Sequence, residues 1–310
     1  MSTLPAGPLV LCGSAHPEGG EALARETADA ALVQRTLEAY PDGERRVRLL
    51  DDVRGRDVFV MQPLAAPVGD HLLEALLLAD AARRAGAARV SALVPYLAYA
   101  RQDRRQSEGE PLGARVVAEG LSRAFDRVVV VDLHSPAVES GFSIPVEQVD
   151  AMPLLAEHVG REAGDVVVAP DLGAAKRAER FARALGLPVA LAHKSRLSGS
   201  QVEARGLVGE VRGRRPILVD DIISTAGTVA AVARVLLEAG CAEEITVCAT
   251  HGLFVGPAAE RLASLPIRRV VVTDSLPQRP GALPASAPLE VVRLAPLLGA
   301  LVGRIHRELR

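Results

Sequence analysis

Residues 215–231 read RPILVDDIISTAGTVAA. A short apolar run, Pro216 to Val219, leads straight into two aspartates, Asp220 and Asp221. Small hydroxylated and glycyl residues follow, Ser224-Thr225-Ala226-Gly227-Thr228, and the chain then turns alanine- and valine-rich. Continuous rather than alternating hydrophobicity before the acids marks a strand buried on both faces, the habit of a parallel sheet covered by helices. The stretch therefore reads as strand, turn and helix, one unit of an α/β protein.

In open α/β sheets, ligands bind beyond the carboxyl ends of the strands. Backbone N–H groups at such a turn, with a helix N-terminus behind them, form a cradle for phosphate. Gly227 permits close backbone approach, and the hydroxyls of Ser224, Thr225 and Thr228 add donors. Two carboxylates would repel that phosphate but suit a neighbouring vicinal diol, whose hydroxyls donate to them. Phosphate and diol at this spacing describe a ribose phosphate. The plainer alternative is a capped helix with two solvated aspartates.

The same alternation continues outward. Strands are expected at 8–13, 56–63, 88–97, 126–134, 164–171, 187–194 and 244–252, with helices between them. One helix is expected over GGEALARETADAALVQR, residues 19–35. Another is expected with Asp70 as its N-cap and Leu72, Leu73, Leu76 and Leu77 on one face. Two correspondences suggest a duplicated doubly wound unit. DRVVVVDLHSPAVESG matches RPILVDDIISTAGTVA, and ADAARRAGAARVSALVPY matches VARVLLEAGCAEEITVCATHG. The division falls near 150, giving domains 1–150 and 151–310.

Composition supports two ordinary cores. The chain has 310 residues, 49% of them hydrophobic, enough to bury two domain interiors. With 36 basic and 38 acidic side chains the net charge is −2, which argues against nucleic acid held by charge alone or a polybasic membrane surface. Cys12, Cys241 and Cys248 are odd in number and show no CxxC pairing, so buried thiols in a reducing compartment are expected. The N-terminus carries no basic leader, and HLLEALLLADAARR is broken by Glu74, Asp80 and Arg83. A soluble cytoplasmic protein is expected.

Motifs along the chain narrow the chemistry. YARQD (99–103), VDLHSP (131–136), APDLGAAKR (169–177), HKSR (193–196), VDDIISTAGT (219–228) and THGLF (250–254) occur in that order, with GSAH (13–16) and YPDGE (40–44) before them. No GxxxxGK[ST] and no strand-GxGxxG is present, so ATP is not cradled in a Walker loop. In this order the motifs resemble those of the ribose-phosphate pyrophosphokinases, the PRPP synthetases, and the loop itself resembles the PRPP loop of type I phosphoribosyltransferases. The resemblance spans roughly the whole chain. It implies two tandem phosphoribosyltransferase-like domains with mostly parallel sheets. The N-terminal domain would take the ATP side and oligomer contacts, and the last helix would pack on it. The implied reaction moves the pyrophosphoryl group of MgATP to the C1 hydroxyl of ribose 5-phosphate, giving PRPP and AMP.

Residue roles follow from that resemblance. Arg101 and Gln102 would bind ATP, with Asp42, Gly43 and Glu44 reaching the adenine side from a neighbouring subunit of a homo-oligomer. His134 and Asp171 would be associated with Mg²⁺. Lys194 and Arg196 would be catalytic, on a loop that closes over the transferring group, with Arg196 also near ribose 5-phosphate. Asp220, Asp221 and Ser224–Thr228 (Ala226 and Gly227 included) would hold ribose 5-phosphate. Each has a blander reading: His134 as a turn histidine, Asp171 as a helix N-cap, 101–110 as a solvated charged loop, Lys194 and Arg196 as loop flanks. Ser224 stands where many members carry Asp, Ala174 where glycine is common and Tyr40 where phenylalanine is usual. Ser224 and GEPLGAR (109–115) resemble archaeal-type members. Competing functions are a non-catalytic synthetase-associated subunit, a PRPP-sensing regulator and a single-domain phosphoribosyltransferase.

Overall fold

The computed structural model describes residues 7–196 and 202–308, with side chains given outside 193–205. These form two compact units. The first runs to Val149 and also takes Ser275–Pro277 and the segment from Leu294 on; the second comprises Asp150–Asp274 and Gln278–Arg293.

In the first unit the elements are β1 (Leu9–Cys12), α1 (Pro17–Glu26), β2 (Ala31–Leu32), β3 (Arg35–Ala39), β4 (Arg45–Leu49), β5 (Asp57–Met61), α2 (Val68–Arg84), β6 (Arg89–Val94), α3 (Gly113–Ala124), β7 (Arg127–Val131) and β8 (Val146–Val149). The described sheet has the order β2-β1-β5-β6-β7-β8 and is parallel throughout. Its central strands are apolar and buried along their length, because helices cover both faces. The antiparallel β3–β4 hairpin stands apart from this sheet.

The second unit contains α4 (Met152–Val159), β9 (Asp165–Ala169), α5 (Ala175–Leu185), β10 (Val189–Arg196), β11 (Val202–Val208), β12 (Arg215–Ile223), α6 (Gly227–Glu238), β13 (Ile245–Gly252), α7 (Ala258–Ala263), β14 (Ile267–Thr273) and β15 (Leu289–Val292). Its order is β11-β10-β9-β12-β13-β14-β15, parallel except where β11 pairs antiparallel with β10. Helix α8 (Ala295–Arg307) belongs with the first unit. There Leu298, Val302 and Ile305 are buried, and His306 Nδ1 lies 2.9 Å from Asp57 Oδ2. Arg89 grips the same carboxylate with bonds of 2.9 and 2.7 Å.

Apart from β11, the two sheets share one connectivity. Strands β1 and β5 in the first unit occupy the places of β9 and β12 in the second. The α2–β6 and α6–β13 pairs correspond as their sequences suggest. The other expected match fails: β7 occupies the place of β14, not of β12. A valine run ending in aspartate recurs because any central parallel strand is apolar until it reaches the carboxyl edge, so composition does not report position.

Three local expectations are corrected. The helix expected through Arg35 stops at Glu26: Thr27 leaves helical dihedrals, its hydroxyl donates to Leu23 O at 2.8 Å, and Ala31–Leu32 pair with β1. Asp70 is not an N-cap, since α2 starts at Val68 after Pro67 and has no side-chain cap. Nor is the leucine face the inward one. His71, Glu74, Ala75, Leu78, Ala79 and Ala82 are buried, whereas Leu73 is 51% exposed. The helix is turned so that Glu74 reaches inward donors, which outweighs the half-buried leucines.

Candidate active site

In the second unit the topology reverses between β9 and β12: from β9 the chain crosses to β10 on one side, and from β12 to β13 on the other. Such a switch point is where α/β sheets bind ligands. Strand β12 pairs with β9 only as far as Leu218↔Val168, but with β13 as far as Ile223↔Gly252. From Val219 onward β12 therefore has no β9 neighbour, and the sheet splits at the acidic pair. The strand also runs through the two aspartates instead of closing on them.

The pair is not solvated. Side-chain exposure is 19% for Asp220 and 5% for Asp221. Arg177, from the first turn of α5, places Nη1 3.3 Å from Asp221 Oδ1 and 3.8 Å from Asp220 Oδ1. Asp221 N–H also donates to Asp220 Oδ1 at 2.9 Å. Burial, then the neighbouring Asp221 carboxylate, push the Asp220 carboxyl well above the usual carboxylate range, and Arg177 offsets part of this.

The turn that follows is held from one side. Leu253 N–H and Phe254 N–H donate to Ile223 O at 2.8 and 3.2 Å, and Val255 N–H donates to Ser224 O at 3.0 Å. Arg261 Nη1 donates to Thr225 O at 2.9 Å. Three successive carbonyls are thus committed to the segment that follows β13. Ala226 then takes a left-handed conformation, φ 55°, and α6 begins at Gly227 with no side-chain cap. An L-residue in that region costs on the order of 1 kcal/mol, which the fixed carbonyls offset. Gly227 is not the left-handed position. Its lack of a side chain matters for space, since a Cβ there would lie 3.2 Å from Arg261 Nη1 and 3.6 Å from Thr225 Oγ1.

Asp171 follows β9 at the same switch point. Its Oδ1 accepts from Ala174 N–H at 3.1 Å, so it caps the turn into α5, and the carboxylate is held in place by that bond. Lys194 and Arg196, expected on a loop, lie instead on strand β10, with backbone pairs Lys194↔Ala204 and Arg196↔Val202 on β11 and a bulge between His193 and Lys194. Their side chains fall outside the described residues, as does the segment 197–201.

The remaining expected residues sit in the first unit. Arg101 and Gln102 are exposed beyond β6, where Tyr99 is left-handed and accepts from Gln102 N–H at 2.8 Å. Gln102 packs on the start of α3, where a Cβ on Gly113 would run into its side-chain amide. Asp42, Gly43 and Glu44 form the exposed tip of the β3–β4 hairpin, where Gly43 has φ 94° and Asp42 Oδ1 accepts from Glu44 N–H at 3.1 Å. Among the described residues, no hydrogen bond or ion pair joins this tip to Arg101 or Gln102. His134 is exposed beyond β7. The described residues contain no cluster of three or more metal-ligating side chains.

The first unit has a switch point too, between β1 and β5. Here the fully buried Glu74 side chain accepts from Ser14 N–H at 2.6 Å, Ser14 Oγ at 2.8 Å and Gln62 Nε2 at 3.0 Å. Arg45 Nη1 stands 3.7 Å from its Oε2. Sequence reasoning missed Glu74, Arg177 and Arg261. Arg177 at least lies inside DLGAAKR, two residues into α5, whereas Arg261 belongs to no motif read from the sequence.

Comparison with known proteins gives consistent matches. Residues 9–124 match the family model described as the N-terminal domain of ribose phosphate pyrophosphokinase, and residues 200–309 match one described as a phosphoribosyl synthetase-associated domain. The ribose-phosphate pyrophosphokinase of Caldanaerobacter subterraneus is 40% identical over 304 residues, 96% of this chain and 94% of that protein. That of Aquifex aeolicus is 40% identical over 279 residues, 89% of this chain and 88% of its own length. The crystal structure of phosphoribosylpyrophosphate synthetase from Mycobacterium smegmatis superposes with a TM-score of 0.89 at 37% identity, covering 97% of this chain and 99% of that one.

Proposed function

The chain belongs to the ribose-phosphate pyrophosphokinase family, and we propose that its second-unit switch point is where ribose 5-phosphate is held for the family's reaction. It is an α/β enzyme of two tandem phosphoribosyltransferase-like domains, a ribose-phosphate diphosphokinase that converts ATP and ribose 5-phosphate to PRPP and AMP. The C1 hydroxyl oxygen of the sugar bonds to the β-phosphorus. The bond from that phosphorus to the oxygen shared with the α-phosphate breaks, AMP leaves with the electron pair, and the hydroxyl proton is lost.

The single observation that carries the assignment is the split of β12 from β9 at Asp220, followed directly by the braced turn Ser224–Thr228. The turn and the N-terminus of α6 hold the 5-phosphate. Asp220 and Asp221, steadied by Arg177, accept from the 2- and 3-hydroxyls of the ribose. Lys194 and Arg196 supply positive charge to the transferring group, since phosphoryl chemistry needs positioning and charge more than covalent help. Arg101 and Gln102 hold ATP, and Asp42, Gly43 and Glu44 reach the adenine of a neighbouring subunit in a homo-oligomer.

Mg²⁺ fits these residues in one respect. It prefers oxygen donors and is usually held by one or two carboxylates together with substrate phosphates, not by a protein cage. Asp171 is such a carboxylate at the carboxyl edge of the sheet; His134, an imidazole, is not the oxygen donor this ion prefers. When bound, the ion neutralises charge on the phosphates. Among the described residues no helix is long and apolar enough to cross a membrane, and we place the enzyme in the cytoplasm.

The test is product analysis. Incubation with ATP, Mg²⁺ and ribose 5-phosphate yields AMP and PRPP in equal amounts. ADP in place of AMP would mean transfer of one phosphoryl group. No turnover by folded protein would favour a synthetase-associated or PRPP-sensing subunit.

A further inference from the structure

We propose that Arg261 is a positioning residue of the ribose 5-phosphate loop, holding the Thr225 carbonyl back and setting a positive charge behind Gly227. The inference rests on the reading that Ser224–Thr228 holds the 5-phosphate. Helix α7 is pinned in the core by Ala258 and Leu262, both fully buried, so the arginine stem leaves from a fixed point. Its Nη1 meets the loop twice, donating to Thr225 O at 2.9 Å and lying 3.2 Å from where a Cβ on residue 227 would be. Among the described residues this guanidinium has no carboxylate partner.

Those contacts have two consequences. A carbonyl oxygen turned toward a phosphate would repel it, and a charge-assisted bond keeps the Thr225 carbonyl turned away. With Ile223 O and Ser224 O bonded to the 253–255 segment, Arg261 completes a row of three restrained carbonyls and holds Ala226 in its left-handed turn. Because no carboxylate neutralises the guanidinium, its charge remains to favour a dianion on the loop. Arg261 thus acts on the sugar phosphate through the loop, and ATP should not feel it.

Calorimetric titration of ribose 5-phosphate into the full-length parent and the Arg261→Met, Arg261→Lys and Arg261→Gln variants tests this, with KM for ATP measured in parallel. Arg261→Met should bind ribose 5-phosphate about tenfold more weakly, the loss expected for one charge-assisted contact. Its KM for ATP should stay within about twofold of the parent, and raised salt should narrow the gap in ribose 5-phosphate affinity because part of it is electrostatic. Arg261→Lys, which keeps charge and one donor, should recover most of the loss. If the Met variant does not fold, Lys and Gln are compared: both can donate to Thr225 O, and Lys should bind several-fold tighter. Equal affinity of Lys and Gln, or equal weakening toward ATP and ribose 5-phosphate, overturns the proposal. A parent that binds and a folded Met variant that matches it overturn this inference alone; a parent that binds no ribose 5-phosphate overturns the loop reading beneath it as well.

Discussion

The two units carry the same sheet with the same switch point, and they fill it differently. In the first unit the crevice between β1 and β5 is closed by the protein's own anion, with Glu74 bound by Ser14 and Gln62. In the second, the crevice between β9 and β12 opens beside two acids and an uncapped helix N-terminus. The connecting segments explain the difference. Between β5 and α2 lie six residues, 62–67, long enough for Gln62 to turn into the crevice, whereas three residues, 224–226, join β12 to α6. In the first unit an internal carboxylate takes up donors from the connections after both strands, Ser14 after β1 and Gln62 after β5. No such internal acid is bonded to the 224–226 turn among the described residues, which is why we propose it for a ligand that brings its own negative charge. Two sheets of one connectivity thus end in differently filled turns, and what each can hold is set by the turn, not by the sheet.

Five substitutions can break or sharpen this contrast. The largest effect is expected from Lys194→Ala. Strand β10 carries Lys194 and pairs with β9, while its counterpart β2 is only Ala31–Leu32. Loss of one well-placed cation should lower kcat by about 10²–10³ with ribose 5-phosphate binding nearly intact. A near-normal kcat would remove Lys194 from the chemistry.

Asp220→Asn should weaken ribose 5-phosphate binding by about 1.5–3 kcal/mol, the range for a hydrogen bond to a charged group. The same variant should be more stable at neutral pH. The folded-state carboxyl is raised by burial and by Asp221, so its favourable contribution is present below the ordinary aspartate range and is lost as pH rises through the raised value. Asparagine cannot ionise, so its advantage in Tm should be a few degrees at neutral pH and should vanish in acid. An Asn variant less stable than the parent at neutral pH would mean that the attraction of Arg177 and the Asp221 N–H bond outweigh burial and repulsion at Asp220.

Glu74→Gln probes the closed crevice. An amide cannot accept from Ser14 N–H, Ser14 Oγ and Gln62 Nε2 as a carboxylate does, and Arg45 is left with Asp70 as its acidic partner. Stability should fall by about 1–3 kcal/mol, read from denaturant unfolding, with ribose 5-phosphate affinity unchanged. The smallest effect is Ser224→Ala. The loop's backbone supplies most of the cradle, so losing one hydroxyl should cost about 0.5–1.5 kcal/mol in ribose 5-phosphate binding. Gly227→Val should cost more, because its Cβ would crowd Arg261 Nη1. Equal losses at 224 and 227 would dissolve the distinction between backbone cradle and side-chain donor.

Much of this was legible from residues 215–231. A strand apolar on both faces specifies a parallel sheet, and two acids with a small-residue turn mark its carboxyl edge as the candidate site. What stayed hidden has physical reasons. Hydrophobic period alone placed the inner face of α2 on leucines, because a buried glutamate with three donors looks like a surface residue until its partners, 60 and 12 positions away, are known. The β3–β4 hairpin was missed because its strands, RTLEA and RRVRL, are half-exposed and charged, unlike the core strands. Arg177 and Arg261 act across the fold, 44 and 36 residues from their partners, and no local pattern announces them. Ala226 likewise gives no sign that it, and not the adjacent Gly227, takes the left-handed turn.

The most direct test of the contrast between the crevices is a crystal structure of the protein with ribose 5-phosphate alone. The account predicts the 5-phosphate on the 224–228 turn and the ribose hydroxyls on Asp220 and Asp221, with Glu74 still bonded to Ser14. A sugar phosphate seated instead at the β1–β5 crevice, with Glu74 displaced, would contradict it.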